Sequence, residues 1–281
     1  MKKRCIFMLI AVLTLSLIVV GCAQKAEAPK TEAPAQKAPQ SAEGEKAAPK
    51  RKLIAVGEAT FAPFEFVDTN TGKPTGFDVE LIQAIAEASG FEVEYKNLDW
   101  NSLIPALKNK EADLVVSGMT ITDERALEVT FSDPYFTSGQ AWAVKEGSPI
   151  KTLNDLSGKK VAVQINTTGD YAAQKIDKKF KDEKKPGLNI KRLKNAADVF
   201  NELKAGGVDC IISDLPVIRE YLKNHPEDKL LIPEPAFTVE YYGIAMRKED
   251  KDIHELINKG LAKVKASGKY DSLYEKYFGK Q

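Results

Sequence analysis

The sequence predicts an α/β protein folded as two lobes, and three observations carry that expectation. From Lys52 onward, short strand-like runs alternate with helical ones, a pattern that puts parallel sheet under a cover of helices. The roughly 230 residues involved suffice for two domains of about 110 each. Residues 134–139 and 233–238 read as connections, each leading into an extended run, at 141–145 and 241–246. A chain that leaves one lobe and later returns makes two crossings, and paired crossings form a hinge.

Residues 53–56 are a short apolar strand. Over 77–89, Val79, Ile82, Ile85 and Ala86 fall on one helical face, and Gly90 follows as a stop. Residues 92–98 alternate as a strand, 103–110 are helical, and 113–117 form a buried strand. Further strands are expected at 160–164, 189–193 and 209–213, separated by helices at about 171–179, 196–205 and 216–224. Two helices, 252–266 and 270–277, close the chain. The sequence contains no internal repeat.

Ahead of this lies a different kind of segment. Residues 1–4 carry three positive charges, residues 5–20 are sixteen apolar or small residues, and Val19-Val20-Gly21-Cys22 follows. Residues 1–21 match a secretory signal peptide, short for a spanning helix. The last four resemble the bacterial lipobox, in which the cysteine receives the lipid, so Cys22 is the expected lipidation site and membrane anchor. Residues 22–50 are rich in Ala, Lys, Glu and Pro, have no aromatic residue and show no apolar period. They are expected to be a disordered tether.

The 281 residues net +1, from 41 Lys+Arg and 40 Asp+Glu. That near-neutrality is composite. Residues 1–50, with eight basic and four acidic residues, carry +4. Residues 51–137 with 237–281, holding 16 basic and 22 acidic residues, carry −6, and residues 138–236, holding 17 and 14, carry +3. Such a balance excludes a general nucleic-acid binder. Three cysteines (5, 22 and 210) and two histidines (225 and 254) make neither a disulfide scaffold nor a zinc cluster. Cys210 reads as a small core residue, both histidines as solvated, and the Lys-rich run 175–185 as a solvated face. Phosphate-binding, dinucleotide-binding, nucleophile-elbow and zinc-protease motifs do not occur.

Over residues 52–279 the chain resembles, in order, the polar amino-acid substrate-binding proteins of bacterial ABC importers. The stretches are Phe61-Ala62-Pro63-Phe64-Glu65-Phe66, Gly76-Phe77-Asp78-Val79-Glu80-Leu81, Leu103-Ile104-Pro105-Ala106-Leu107, Ser117-Gly118-Met119-Thr120-Ile121-Thr122-Asp123-Glu124-Arg125 and Phe131-Ser132-Asp133-Pro134-Tyr135. Later come Val161-Ala162-Val163-Gln164, Thr167-Thr168-Gly169, the run 209–214, Tyr242-Gly243-Ile244-Ala245 and Tyr277-Phe278-Gly279. The resemblance implies the periplasmic-binding-protein-like (type II) fold, two α/β lobes joined by a two-crossing hinge: 51–137 plus 237–281 as the larger lobe and 138–236 as the smaller.

The residues suit such a ligand. A free amino acid brings a carboxylate and an ammonium, both of which need partners once out of water. Arg125 offers a planar fork for the carboxylate. Gly118, Thr120 and Thr168 can add backbone N–H groups and hydroxyls, and Asp214, at a strand's carboxyl end, can take the ammonium. The resemblance assigns them the same roles. Competing readings make Arg125 a surface partner of Glu124 or Glu128 and Asp214 a plain helix cap. Phe61 and Trp100 resemble the family's aromatic walls, with ordinary core as the rival reading. Glu58 and Gln164 resemble the positions that meet the ligand's distal group. Glutamine-preferring members tend to carry Lys at Gln164 and His at Ser213, so the departure here favours arginine or another basic side chain, then glutamine. Asn166 stands where glycine is common in the family.

The expected function is therefore an exported, lipid-anchored, monomeric binding protein without cofactor or catalytic residue. It would take up a free L-amino acid and deliver it to an ABC permease. The alternative is an exported cyclohexadienyl dehydratase-like enzyme on the same fold, with Glu58 as the proton donor.

Overall fold

The computed structural model describes residues 50–280. The signal peptide, the Cys22 anchor and all but the last residue of the tether lie outside the described residues. Eight α-helices occur among those described: α1 Phe77–Ser89, α2 Leu103–Lys108, α3 Asp123–Glu128, α4 Thr168–Asp182, α5 Ala196–Ala205, α6 Leu215–Asn224, α7 Lys251–Ala266 and α8 Lys269–Phe278. The first has the predicted bounds. Its apolar stripe is buried, and Gly90 closes it in a left-handed cap at φ 77°, with its N–H donating to the Ala86 and Glu87 carbonyls.

Two five-stranded sheets repeat one plan. In the first, strands run in the order Glu92–Asn97, Lys52–Gly57, Leu114–Val115, Ala245–Met246, Thr130–Phe131. In the second the order is Asn189–Leu193, Lys160–Gln164, Cys210–Asp214, Gln140–Lys145, Leu230–Leu231. Three strands of each are parallel, and the fourth is antiparallel to the third. Alternation along the chain predicted parallel sheet; the sheets are mixed. Each antiparallel strand is the one the chain makes on arriving from the other lobe, so its direction is set by the crossing. The same crossings form a ribbon in which Phe136–Ser138 pairs antiparallel with Glu240–Tyr242, beside the stretches expected to be hinges.

Other expectations are trimmed. The strand expected at 113–117 is paired only over Leu114–Val115, and the run 241–246 breaks at Gly243 into two strands. A small three-stranded sheet, Thr60–Phe61, Glu65–Val67 and Pro74–Thr75, escapes the sequence reading because two- and three-residue strands carry no period. Cys210 is buried in its strand, and burial pushes its thiol up. The lysine run is solvent-facing, with i,i+4 pairs Lys178–Asp182 and Lys181–Asp177. The histidines are only partly solvated: the His254 ring lies 3.0 Å from the Phe131 carbonyl oxygen.

Candidate ligand-binding site

The carboxyl ends of the parallel strands in both sheets point at one cavity, as expected of open α/β sheets. Its empty space is about 490 Å³, including space open to solvent. All nine candidate residues line it: Glu58, Phe61, Trp100, Gly118, Thr120 and Arg125 from the first lobe, and Gln164, Thr168 and Asp214 from the second.

Arg125 is not a surface partner of its glutamates. It sits in α3, whose N-cap Thr122 accepts from the Arg125 N–H at 3.2 Å, and it is 9% exposed. Its guanidinium donates to the carbonyls of Thr120 (2.8 Å) and Asn166 (3.4 Å) and lies 5.1 Å from the Trp100 ring centroid. Burial lowers its proton affinity. No carboxylate among the described residues forms a salt bridge with it, so the cation is poised for an anion supplied from outside.

Asp214 occupies the N-cap position of α6 but makes no capping bond. Its Oδ1 accepts instead from the Tyr242 hydroxyl at 2.5 Å and the Ser138 hydroxyl at 3.2 Å, both on the hinge ribbon. Burial and the nearby Glu240 push its carboxyl up to about 6, against those hydrogen bonds. An ammonium beside it reverses the balance. The Asp214 contribution to affinity, read with a neutral ligand such as glutamine, is thus expected to be flat above about pH 7 and to fall below about pH 6, approaching tenfold per pH unit in the limit of one proton per ligand. Titration calorimetry between pH 4.5 and 8 checks this. In the ligand-free protein the sign is opposite. A carboxyl raised from 3.8 to about 6 adds stability at low pH that is lost as the pH climbs through that window.

Glycine is required at Gly118, where φ is 50° and a Cβ would lie 2.7 Å from the Phe61 ring. Phe61 stacks on Phe64 with centroids 5.7 Å apart. Trp100 opens a short 3₁₀ turn, packs one side against the apolar cluster around Leu103 and Met119, stays partly exposed and donates its indole N–H to the Asn166 carbonyl at 3.1 Å. Asn166 adopts φ 60°, a left-handed conformation that asparagine tolerates better than most residues, so it serves where glycine is common. Its amide also donates to Asn101 Oδ1 at 2.8 Å, tying the lobes together. Thr168 is the first residue of α4, placing that helix's positive end at the cavity. Glu58 is buried, accepting from Thr60 and from Gln164 across the cleft, and burial pushes its carboxyl up.

Sequence reasoning missed two acidic residues here. Glu65 lines the cavity fully buried; its place between Phe64 and Phe66 in a strand-like run was the available signal. Glu240, on the ribbon, accepts from Thr120 (2.9 Å) of one lobe and Gln140 (3.3 Å) of the other, and nothing local in the sequence marks it.

Residues 53–280 match the model of the bacterial extracellular solute-binding proteins, family 3. The chain is 41% identical over 237 residues to a probable histidine-binding protein of Neisseria gonorrhoeae, covering 84% of this chain and 86% of that one. It is 34% identical over 230 residues to the arginine-binding extracellular protein ArtP of Bacillus subtilis, covering 82% and 87%. Among solved structures, an ancestral arginine-binding protein, known bound to arginine and bound to glutamine, superposes with a TM-score of 0.76 at 44% identity, over 82% of this chain and 99% of that one. The lobes, the strand-end cavity and these similarities agree: the chain belongs to the bacterial extracellular solute-binding proteins, family 3, the polar amino-acid substrate-binding proteins of ABC transporters.

Proposed function

We propose that this protein is an exported lipoprotein, anchored through Cys22, that captures one free L-amino acid by hinge closure and delivers it to a membrane permease, acting as a monomer. Its lobes are 51–137 with 237–281, and 138–236. The observation that carries the reading is the pair Arg125 and Asp214. A buried cation without an anion and a buried acid without a cation face one cavity from opposite lobes, the complement of a zwitterion. Because the ligand touches both lobes only when they are closed, its contacts favour the closed state. Glu58, Phe61, Trp100 and Gln164 then surround the side chain, Gly118, Thr120 and Thr168 its carboxylate and ammonium. Two buried acids, Glu58 and Glu65, on the wall favour a basic side chain, arginine first, with glutamine next.

A thermal-shift screen against the twenty amino acids tests this. Arginine or lysine at a hundred times its Kd is expected to raise Tm by about 5–11 °C, from roughly 2.7 kcal/mol of binding linkage. The largest shift from glutamine with none from a basic amino acid overturns the ligand assignment, and no shift from any overturns the function. One observation favours the dehydratase alternative: the Glu58 carboxyl is pushed up by burial, as a general acid requires. Including prephenate and arogenate in the assay, with turnover as the readout, separates the two.

A further inference from the structure

Behind the cavity wall, two carboxyl groups meet with no cation beside them. Glu65, in Glu65–Val67, and Asp78, in the first turn of α1, are both fully buried. Glu65 Oε1 accepts from the Ser117 hydroxyl at 2.6 Å. Asp78 Oδ2 accepts from the Gly118 N–H at 2.7 Å and the Tyr135 hydroxyl at 2.6 Å. Glu65 Oε2 and Asp78 Oδ1 accept from no donor. The titratable groups facing the pair are Glu58, which follows the Lys52–Gly57 strand, Tyr95 from the neighbouring strand, Tyr135 ahead of the hinge ribbon, and Tyr270 of α8. All are acids or phenols. Among the described residues no Lys, Arg or His bonds to either carboxyl.

Two like charges cannot both persist in such a place, so the pair holds one proton. Asp78 has a backbone N–H, a phenol and the start of a helix to hold a negative charge, whereas Glu65 has one hydroxyl. The proton therefore belongs to Glu65, and Glu65, unlike Asp78, lines the cavity. Desolvation and Asp78 raise its carboxyl well above the usual range.

Resting on the reading that the ligand is a basic amino acid, we infer that Glu65 is a specificity-determining residue that gives up its proton when a cationic side chain enters, so that capture is an exchange of a proton for a cation. The neutral carboxyl loses H⁺ to the buffer, and the resulting carboxylate pairs with the ligand's guanidinium or ammonium. No bond other than that O–H changes. A neutral side chain of similar length leaves the proton in place. The buried acid then serves discrimination: neutral when the cavity is empty, it spares the fold two adjacent charges, and it ionises only for a ligand that compensates it.

Calorimetry of L-arginine and L-glutamine binding to the full-length protein at pH 7, in buffers of different ionisation enthalpy, counts the protons released. Glutamine serves as the reference for the Asp214 contribution, which both ligands share. Arginine is expected to release about one proton more than glutamine. Glu65→Gln is expected to remove that excess and to weaken arginine by tenfold or more relative to glutamine. Arginine heat without buffer dependence beyond that of glutamine overturns this inference alone, as does an excess that persists in Glu65→Gln. No binding of arginine overturns the basic-ligand reading and this inference with it. The wild-type comparison decides the question even where the variant fails to fold.

Discussion

Replacing Arg125 with alanine is expected to cut amino-acid affinity by on the order of a thousandfold. The ligand's carboxylate would enter a closed cavity with no other cation on the described wall, and breaking a buried charge pair by removing one partner costs about 3–5 kcal/mol, at about 1.4 kcal/mol per tenfold. Asp214→Asn is expected to act similarly through the ammonium, since an amide keeps the size of the side chain but not its charge. The two differ from a folding defect in their effect on the empty protein. Arg125 is buried there with two carbonyl oxygens and an aromatic face for company but no carboxylate. Deleting it removes a desolvated charge, so the ligand-free Tm should hold or rise. Burial, and Glu240 beside it, raise the Asp214 carboxyl, and the amide should likewise be tolerated. Calorimetry for binding and thermal denaturation without ligand check both halves. Undiminished binding in either variant would remove that residue from the site.

Much of this site was legible because the residues concerned sit where chain direction fixes them. Gln164 and Asp214 end strands, Glu58 follows one, and Thr168 begins a helix; a strand-then-helix pattern locates such ends to within a residue or two. Arg125 was legible only together with its neighbours, since an arginine in a short helix is ordinarily solvated and its burial depends on Trp100 and Asn166 arriving from elsewhere. What the pattern could not supply was anything decided by the crossings. The antiparallel strands Gln140–Lys145 and Ala245–Met246 look locally like any other apolar run, and their direction depends on where the chain has come from. Glu240 has the same cause: beyond Thr238, its partners in the two lobes are 120 and 100 residues away along the chain. Glu65 was visible as an acid in an aromatic run, but its meeting with Asp78 is a tertiary event, and two separate acids in a sequence give no sign of sharing a proton.

Phe64→Ala is expected to produce the largest loss of stability, about 3–5 kcal/mol, a large part of the 5–15 kcal/mol that holds a typical domain together. Phe64 is fully buried. Its ring centroid lies 4.8 Å from that of Phe136, 5.1 Å from Tyr242, 5.2 Å from Phe278 and 6.2 Å from Phe77. Those partners come from both strands of the hinge ribbon, from α8 and from α1, so one ring joins the start of the larger lobe to its return and to the hinge. Edge-to-face pairs of this kind add to the area buried, and an alanine would leave a cavity that four rings on different elements cannot jointly collapse into. At about 2–4 °C per kcal/mol for a chain of this size, Tm should fall by roughly 6–20 °C. Binding should suffer far less than in Arg125→Ala, because the Phe64 ring reaches the site through Phe61 and through Tyr242, which holds Asp214. Saturating ligand should return about 2.7 kcal/mol at a hundred times Kd. Thermal and urea denaturation with and without ligand measure both terms. A loss under 1 kcal/mol would mean that the hinge ribbon is held to the larger lobe by contacts other than this ring.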